Sequence, residues 1–286
     1  MNQVKKKKTL SDLISISITL LLDKLHGKKL LPGKLPLFVE NSFSLLRGKE
    51  VRFSYCTKQK LYCALEERNI RYFENLRRGF WLYRNGILSR GDFIFGSYCL
   101  ENIDFNEGDI VIDCGANSGD LFIELQKYIN AEDYYAIEPN PSDFKLLQLN
   151  VKSKKLFNIA LGESNGKKNF WISTEGGDSS LIRPENYVKT IDVSVARLDS
   201  FIEEFGITRV KLLKLEAEGY EPEILKGLEG KLENCEYIAI DGGYERGESN
   251  EQSFTEISNF LILNNYKMID IYFPWCRALF KNRNSF

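Results

Sequence analysis

The segment Asp113-Cys114-Gly115-Ala116-Asn117-Ser118-Gly119 leaves this chain few folds to adopt. It closes the short apolar run Asp109–Asp113, whose β-branched content predicts a buried strand. Past it, Leu121, Phe122, Leu125, Tyr128 and Ile129 share one helical face, so a helix is expected over Gly119–Asn130. Glycines between a strand and a helix let the backbone turn sharply and come close to a ligand. The helix start beyond them offers free amide donors and the positive end of a dipole. A second apolar run, Tyr134–Glu138, ends in an acid 25 residues after Asp113. A carboxylate at that place accepts hydrogen bonds from both ribose hydroxyls of a bound nucleoside. The combination predicts a doubly wound α/β domain that holds a nucleoside.

The same rhythm continues downstream. Asn140-Pro141 starts a helix, with Asn as cap and Pro at the first helical position. Strands are expected at 156–161, 169–174, 190–196, 210–216 and 237–241. Asp199 is expected to cap a helix to Phe205, Pro222 to open one to Leu228, and Phe254–Tyr266 to form another. Residues 267–273 and 278–281 predict a closing hairpin. Strands alternating with helices imply a parallel sheet covered on both faces. The domain is therefore assigned to 105–286. Before it, 51–104 reads as an extension with a hairpin at 51–55 and 61–65, and as a candidate cap on the acceptor side. Residues 1–50 read as a basic, amphipathic segment with a loop or linker from 27.

Charge divides the chain. Residues 1–100 hold 19 Lys+Arg against 8 Asp+Glu, whereas 101–286 hold 20 against 32. A basic front suits an anionic membrane surface. The acidic remainder would repel nucleic-acid phosphates, so no nucleic-acid partner is expected. Lys5 to Lys8 precede an apolar stretch, Leu10–Leu25, that contains Asp12 and Asp23 and is too short to span a bilayer. No small-residue cleavage site follows it. It reads as an amphipathic helix, either packed on its own domain or resting peripherally on the inner membrane face of a cytoplasmic protein. The six cysteines form no CxxC and the only histidine is His26, which disfavours a zinc site or a His-dependent hydrolase. Reduced thiols are expected.

A dinucleotide site would place G-x-G-x-x-G against a pyrophosphate. Asp113 stands at the first of those positions, where it would repel phosphate and suit a cationic amino-acid end. S-adenosyl-L-methionine carries an ammonium, a sulfonium and a ribose but no phosphate, so it is the expected cofactor, and an NAD-dependent dehydrogenase is disfavoured. The segments Val111–Asp120 (VIDCGANSGD), Glu138-Pro139-Asn140-Pro141, Asn158–Gly162 (NIALG) and Leu213–Glu221 (LKLEAEGYE) resemble the FkbM family of S-adenosylmethionine-dependent O-methyltransferases. The resemblance covers roughly 100–280. It implies a Rossmann-like class I methyltransferase sheet of seven strands with the last antiparallel, carrying the basic N-terminal extension outside it. Carried onto this chain, it implies cofactor contacts at Asp113, Gly115, Ala116, Asn117, Gly119, Asp120, Glu138, Pro139, Asn140, Asn158 and Ala160. Against the family pattern K-x-D-x-E-G-x-E, Lys214, Glu218, Gly219 and Glu221 match, and Glu216 stands where Asp is usual.

Methyl transfer to an alcohol needs an aligned oxygen and a group to remove its proton. Residues 101–286 contain no histidine, so a carboxylate is the available base. Glu216 is assigned that role, with Asp241 or Glu218 as helper and Lys214 as an orienting cation. Glu218 and Asp241 also have plain alternatives, a helix cap and a turn before Gly242-Gly243. No metal is predicted; a divalent metal such as Mg²⁺ or Mn²⁺ held by the carboxylates is the alternative. The expected acceptor is a sugar hydroxyl of a glycan or glycolipid precursor. A polyketide or other small metabolite is the second acceptor class, and a non-catalytic binding module of the same fold is a third reading. Phe80, Trp81, Tyr83, Phe93, Phe95 and Tyr98 are expected in the core, with sugar stacking as the alternative. The polar loop Glu175–Leu181 reads equally as a closing flap or a surface turn.

Overall fold

The computed structural model describes residues 35–173 and 179–284. The amphipathic segment at 10–25, the lysine run and His26 lie outside the described residues, as do Glu175, Gly176, Gly177 and Asp178 of the polar loop. The chain divides into two compact units, Met1–Arg90 and Gly91–Phe286. Among the described residues, no helix is long and apolar enough to cross a membrane.

In the first unit, α1 (Leu35–Leu46) precedes a three-stranded antiparallel sheet of β1 (Arg52–Cys56), β2 (Leu61–Glu66) and β3 (Asn69–Phe73), and α2 (Leu76–Tyr83) follows. The expected hairpin is present, with Arg52 opposite Leu65 and Cys56 opposite Leu61. The expected linker at 27–50 is not all loop. Between its Gly/Lys-rich ends, the sequence of α1 has no breaker beyond Pro36, which the first helical turn tolerates. The Asn41 amide donates to Phe53 O at 2.8 Å and accepts from Phe53 N–H at 2.7 Å, which fastens α1 to β1. Phe53, Phe73, Phe80 and Tyr83 form the buried interior, and Trp81 carries the Arg84 guanidinium 4.1 Å from its ring centroid.

α3 (Ile87–Ser97) begins in the first unit and ends in the second. The second unit then runs β4 (Val111–Cys114), α4 (Phe122–Leu125), β5 (Tyr134–Ile137), α5 (Pro141–Asn150), β6 (Leu156–Phe157), β7 (Ala160–Gly162), β8 (Gly166–Ser173) and β9 (Tyr187–Arg197). It continues with α6 (Leu198–Glu204), β10 (Val210–Leu215), α7 (Glu221–Lys226), β11 (Cys235–Asp241), β12 (Tyr244–Arg246), β13 (Glu251–Gln252), α8 (Phe254–Leu263), β14 (Tyr266–Tyr272) and β15 (Arg277–Asn282). The main sheet has seven strands in the order β14-β15-β11-β10-β4-β5-β6. The last in sequence, β15, is antiparallel to both its neighbours. β4, β10 and β11 are buried along their whole length, as strands covered on both faces must be. Ile112, Leu213 and Ile238 pack into one apolar layer, and Val111, Leu212 and Ala239 into the other. Each such Leu or Ile contributes about 1.5–3 kcal/mol by leaving water.

Three expectations need correction. Residues 156–161 form two strands, not one: β6 pairs with β5 in the main sheet, and β7 pairs with β9 in a second sheet of order β7-β9-β8. The helix expected over 119–130 shrinks to α4, because the surrounding backbone closes mostly i→i+3 bonds such as Ile123 N–H to Asp120 O. Asp199 does not cap α6; Arg197 holds the cap position, and its guanidinium Nε donates to Asp199 Oδ1 at 3.0 Å.

Candidate active site

The strand order reverses between β4 and β10, and this is where a doubly wound sheet opens a crevice at the carboxyl ends of its strands. Gly115 N–H and Ala116 N–H both donate to Ile137 O at 3.0 Å, which folds the turn after β4 back over the end of β5. Gly115 has φ +73°, and a Cβ there would stand 1.8 Å from Glu216 O. Glycine is the residue that fits. At Gly119, φ +85°, a Cβ would strike Val151 at 2.4 Å.

This turn is built around Glu138. Asn117 N–H donates to Glu138 Oε2 at 2.9 Å, and Asn140 N–H donates to Glu138 Oε1 at 2.8 Å. Each oxygen is thereby aimed by one backbone donor and keeps further lone-pair capacity for a hydroxyl. Burial, and after it the charge of Asp143, push the Glu138 pKa up to about 8 against those two donors. Asn140 caps α5 as expected, accepting from Ser142 N–H at 3.1 Å. Asn158 Nδ2 donates to Glu138 O at 2.8 Å and Pro139 O at 3.1 Å, which braces the same corner. Ala116 and Asp120 are buried in the turn and its continuation. Ala160 lies in β7, opposite Val195 on the second sheet. A rigid carboxylate at the end of β5 and a glycine turn too tight for any side chain fit the ribose of S-adenosyl-L-methionine.

Asp113 has partners within the fold. Its side chain is 1% exposed; Tyr134 OH donates to Oδ2, and Lys214 Nζ lies 2.9 Å from Oδ1. A carboxylate already matched by a buried ammonium presents no full charge to a ligand. Asp113 thereby ties Tyr134 of β5 to Lys214 of β10.

Across the carboxyl edge of β4, β10, β11 and the start of β15 runs a row of alternating charges: Asp113, Lys214, Glu216, Arg277, Asp241. Lys214 Nζ lies 2.8 Å from Glu216 Oε2 and donates to Gly115 O at 2.8 Å. Arg277 Nη2 donates to Glu216 Oε1 at 2.6 Å, its Nε to Asp241 Oδ2 at 2.6 Å, and its Nη1 to Ser97 Oγ at 2.8 Å. The guanidinium lies 4.3 Å from the Tyr98 ring centroid and 4.6 Å from that of Trp275. Burial works to raise the Glu216 pKa, but Lys214 and Arg277 outweigh it and hold Glu216 at about 2. Burial raises the Asp241 pKa against the pull of Arg277. Asp241 also accepts Gly243 N–H at 3.1 Å, so it forms the expected turn and joins the row.

Glu218 stands beside this row in left-handed backbone, φ +52°, which costs a residue with a side chain about 1–3 kcal/mol. The capping considered for it falls to Glu221, whose Oε1 accepts Ala217 N–H at 2.6 Å and Gly219 N–H at 3.3 Å. Ser180 Oγ donates to Glu218 O at 3.0 Å, tying the end of the polar loop to the same turn. Glu218 hydrogen-bonds to Glu245 of β12. A Cβ on Gly243 would stand 3.3 Å from both Asp241 Oδ1 and Glu245 Oε1, so these carboxylates converge on one spot. Glu245 keeps solvent access, yet the surrounding protein and then Asp241, Glu221 and Glu216 raise its pKa. Among the described residues, no group of three or more His, Cys, Asp or Glu is arranged to hold a metal ion.

Arg277 and Glu245 are the site residues that sequence reasoning missed. Arg277 had one local signal, a cation opening the otherwise apolar run Ala278-Leu279-Phe280. Of the aromatics, Phe95 and Tyr98 are core residues, while Phe93 is 39% exposed and meets Trp275 edge-on at 5.0 Å. Asp241 pairs with Arg277 across β11 and β15, which puts the hairpin tip Phe273–Trp275 at the edge that carries the charges.

A seven-stranded doubly wound sheet with its last strand antiparallel defines a domain of the class I methyltransferase type. The methyltransferase FkbM domain model matches residues 113–268, and the chain belongs to that family. It is 25% identical to Methyltransferase 1 of Beauveria bassiana (strain ARSEF 2860), over 48% of this chain and 65% of that protein. It is 23% identical to 2-O-methyltransferase NoeI of Sinorhizobium fredii (strain NBRC 101917 / NGR234), over 45% of this chain and 61% of that one. The matches thus span a little under two thirds of these curated relatives. Among solved structures, methyltransferase FkbM from Methylobacillus flagellatus KT is 17% identical and covers 63% of this chain and 44% of its own, with a TM-score of 0.42.

Proposed function

We propose that this protein transfers a methyl group from S-adenosyl-L-methionine to a sugar hydroxyl of a glycan or glycolipid precursor. The observation that carries the cofactor reading is Glu138, buried and aimed by the N–H groups of Asn117 and Asn140. Gly115, Asn117, Glu138, Asn140 and Asn158 would hold the nucleoside. Bound there, S-adenosyl-L-methionine would supply an electrophilic methyl on a sulfonium, whose carbon–sulfur bond breaks with its electron pair staying on sulfur. Glu216 would orient the acceptor hydroxyl by accepting its hydrogen bond. Held at about 2, Glu216 is a poor proton acceptor, which revises the base assignment made from sequence. Glu245, raised and backed by Glu218, is the carboxylate suited to take the hydroxyl proton as the oxygen–carbon bond forms.

One observation supports a sugar acceptor, and another supports oxygen as the methylated atom. Phe273, Tyr244 and Trp275 are 76%, 68% and 42% exposed, with Tyr244 next to Glu245 in β12 and Trp275 against the Arg277 guanidinium, and flat aromatic faces beside polar groups suit a hydroxyl-rich ring. The NoeI relative is named a 2-O-methyltransferase, which supports oxygen as the receiving atom. The basic first hundred residues support peripheral contact with an anionic inner membrane face, where a lipid-linked acceptor would lie.

The test is transfer of label from methyl-labelled S-adenosyl-L-methionine into fractions of a source-organism lysate, with and without a chelator. Label in glycolipid or polysaccharide supports the proposal, and chelator sensitivity would add a metal to it. Label in small organic products moves the acceptor to the secondary-metabolite class. No transfer by protein that binds S-adenosyl-L-homocysteine would favour a binding module.

A further inference from the structure

Four of the five charged groups in the row are shut away: the side chains of Asp113, Lys214, Asp241 and Arg277 are 1%, 3%, 4% and 8% exposed. Glu216 alone opens outward, at 28%. Two partners fix it. Lys214 takes one oxygen and Arg277 the other. Lys214 spans Glu216 and Asp113 with a single nitrogen, whereas Arg277 reaches Glu216 and Asp241 through two different nitrogens. A guanidinium has the planar fork for this, and stacking between Tyr98 and Trp275 removes its freedom to turn.

We propose that Arg277 is a positioning residue: it locks Glu216 and Asp241 into one rigid pair, so that Glu216 holds the acceptor hydroxyl at a fixed place. This rests on the acceptor-side reading above. Arg277 touches neither cofactor nor reacting atoms; it acts through Glu216. The charged groups around that carboxylate are Lys214 on β10, Arg277 on β15, Asp241 on β11 and Glu245 on β12, with the Tyr98 hydroxyl beside them. Removing Arg277 leaves Lys214 as the one cation touching Glu216, beside two other carboxylates. Glu216 must then bind a proton more readily and swing more freely.

The test compares Arg277→Met and Arg277→Lys with the wild-type chain. Glutamate carboxyls labelled with carbon-13 are titrated by NMR, and the Glu216 signal is identified by its loss in Glu216→Gln. The proposal expects Glu216 to stay ionised across the accessible acid range in the wild type, and to titrate at clearly higher pH in Arg277→Met. Affinity for S-adenosyl-L-homocysteine should stay within about two-fold, because Arg277 hydrogen-bonds to Glu216, Asp241 and Ser97 and to none of the residues proposed to hold the nucleoside. Methyl transfer to the labelled lysate fraction should fall by about 100-fold in kcat, the size of loss that a misplaced reacting group produces. Arg277→Lys should recover part of it. If Arg277→Met does not fold, Arg277→Lys alone carries the test, since it keeps the charge and loses the fork. An unmoved Glu216 titration in a folded variant, or an unchanged kcat, would overturn the proposal. The titration needs no acceptor, so it reads Arg277 even if the sugar assignment fails.

Discussion

The Arg277 guanidinium and the Glu216 carboxylate meet at 2.6 Å although 61 residues separate them in sequence. The antiparallel return of β15 makes the meeting possible, because it sets Arg277 opposite Asp241 at the same edge where β10 gives way to Glu216 after Leu215. A cation from the last strand thus completes a charge row that starts at the first strand of the sheet.

Lys214 sits between Asp113 and Glu216 with its side chain 3% exposed. Burial alone would lower its pKa, but the two carboxylates raise it, so it stays a cation. Lys214→Met would strand Asp113 beside Tyr134 without its counter-charge. Urea unfolding should show a loss of about 3–5 kcal/mol, the usual cost of breaking one side of a buried pair. A loss below about 1 kcal/mol would mean that the row is not a structural unit.

Gly115→Ala should abolish affinity for S-adenosyl-L-homocysteine in calorimetry. The new Cβ would stand 1.8 Å from Glu216 O at a φ of +73°, so backbone must move where the nucleoside is to lie. Unchanged affinity would remove the turn from the cofactor site.

The ligand-free protein should lose stability as pH rises from about 5 to 8. Glu138 and Glu221 have folded-state values of about 8 and about 7, pushed up chiefly by burial from an ordinary 4.5. Between those limits the folded state binds more protons than the unfolded state, so stability falls with pH. Glu216 works in the opposite sense. Its depressed value contributes stability above pH 4.5 that is lost as pH falls through about 2. Chemical unfolding at several pH values should therefore give a falling slope between 5 and 8 that shrinks in Glu138→Gln and in Glu221→Gln. A flat profile in the wild type would contradict it.

The parts of the site that were legible in sequence are local ones. Asp113–Gly119 and Glu138 each sit where a strand ends, so spacing along the chain stands in for position in space. Asn140-Pro141 reads as a helix start because cap and first turn are neighbours. What stayed hidden depends on distant pairing. Arg277 shows only as a lone cation until β15 is laid beside β11. Residues 156–161 read as one apolar run, and nothing local says that Leu156 and Ala160 pair in different sheets. The Asp113–Lys214 pair is likewise hidden, because 101 residues separate the two in sequence. The helix α1 was hidden by the glycines and lysines on either side of it.

The most direct measurement is the chemical nature of the transferred methyl. Product labelled from methyl-labelled S-adenosyl-L-methionine by the wild-type protein, and in parallel by Glu138→Ala, would be hydrolysed and its monosaccharides separated. The account predicts label in an O-methyl sugar, stable to mild base as an ether is, and strongly reduced with Glu138→Ala. Label released by mild base, label in nucleosides, or equal labelling by Glu138→Ala would contradict it.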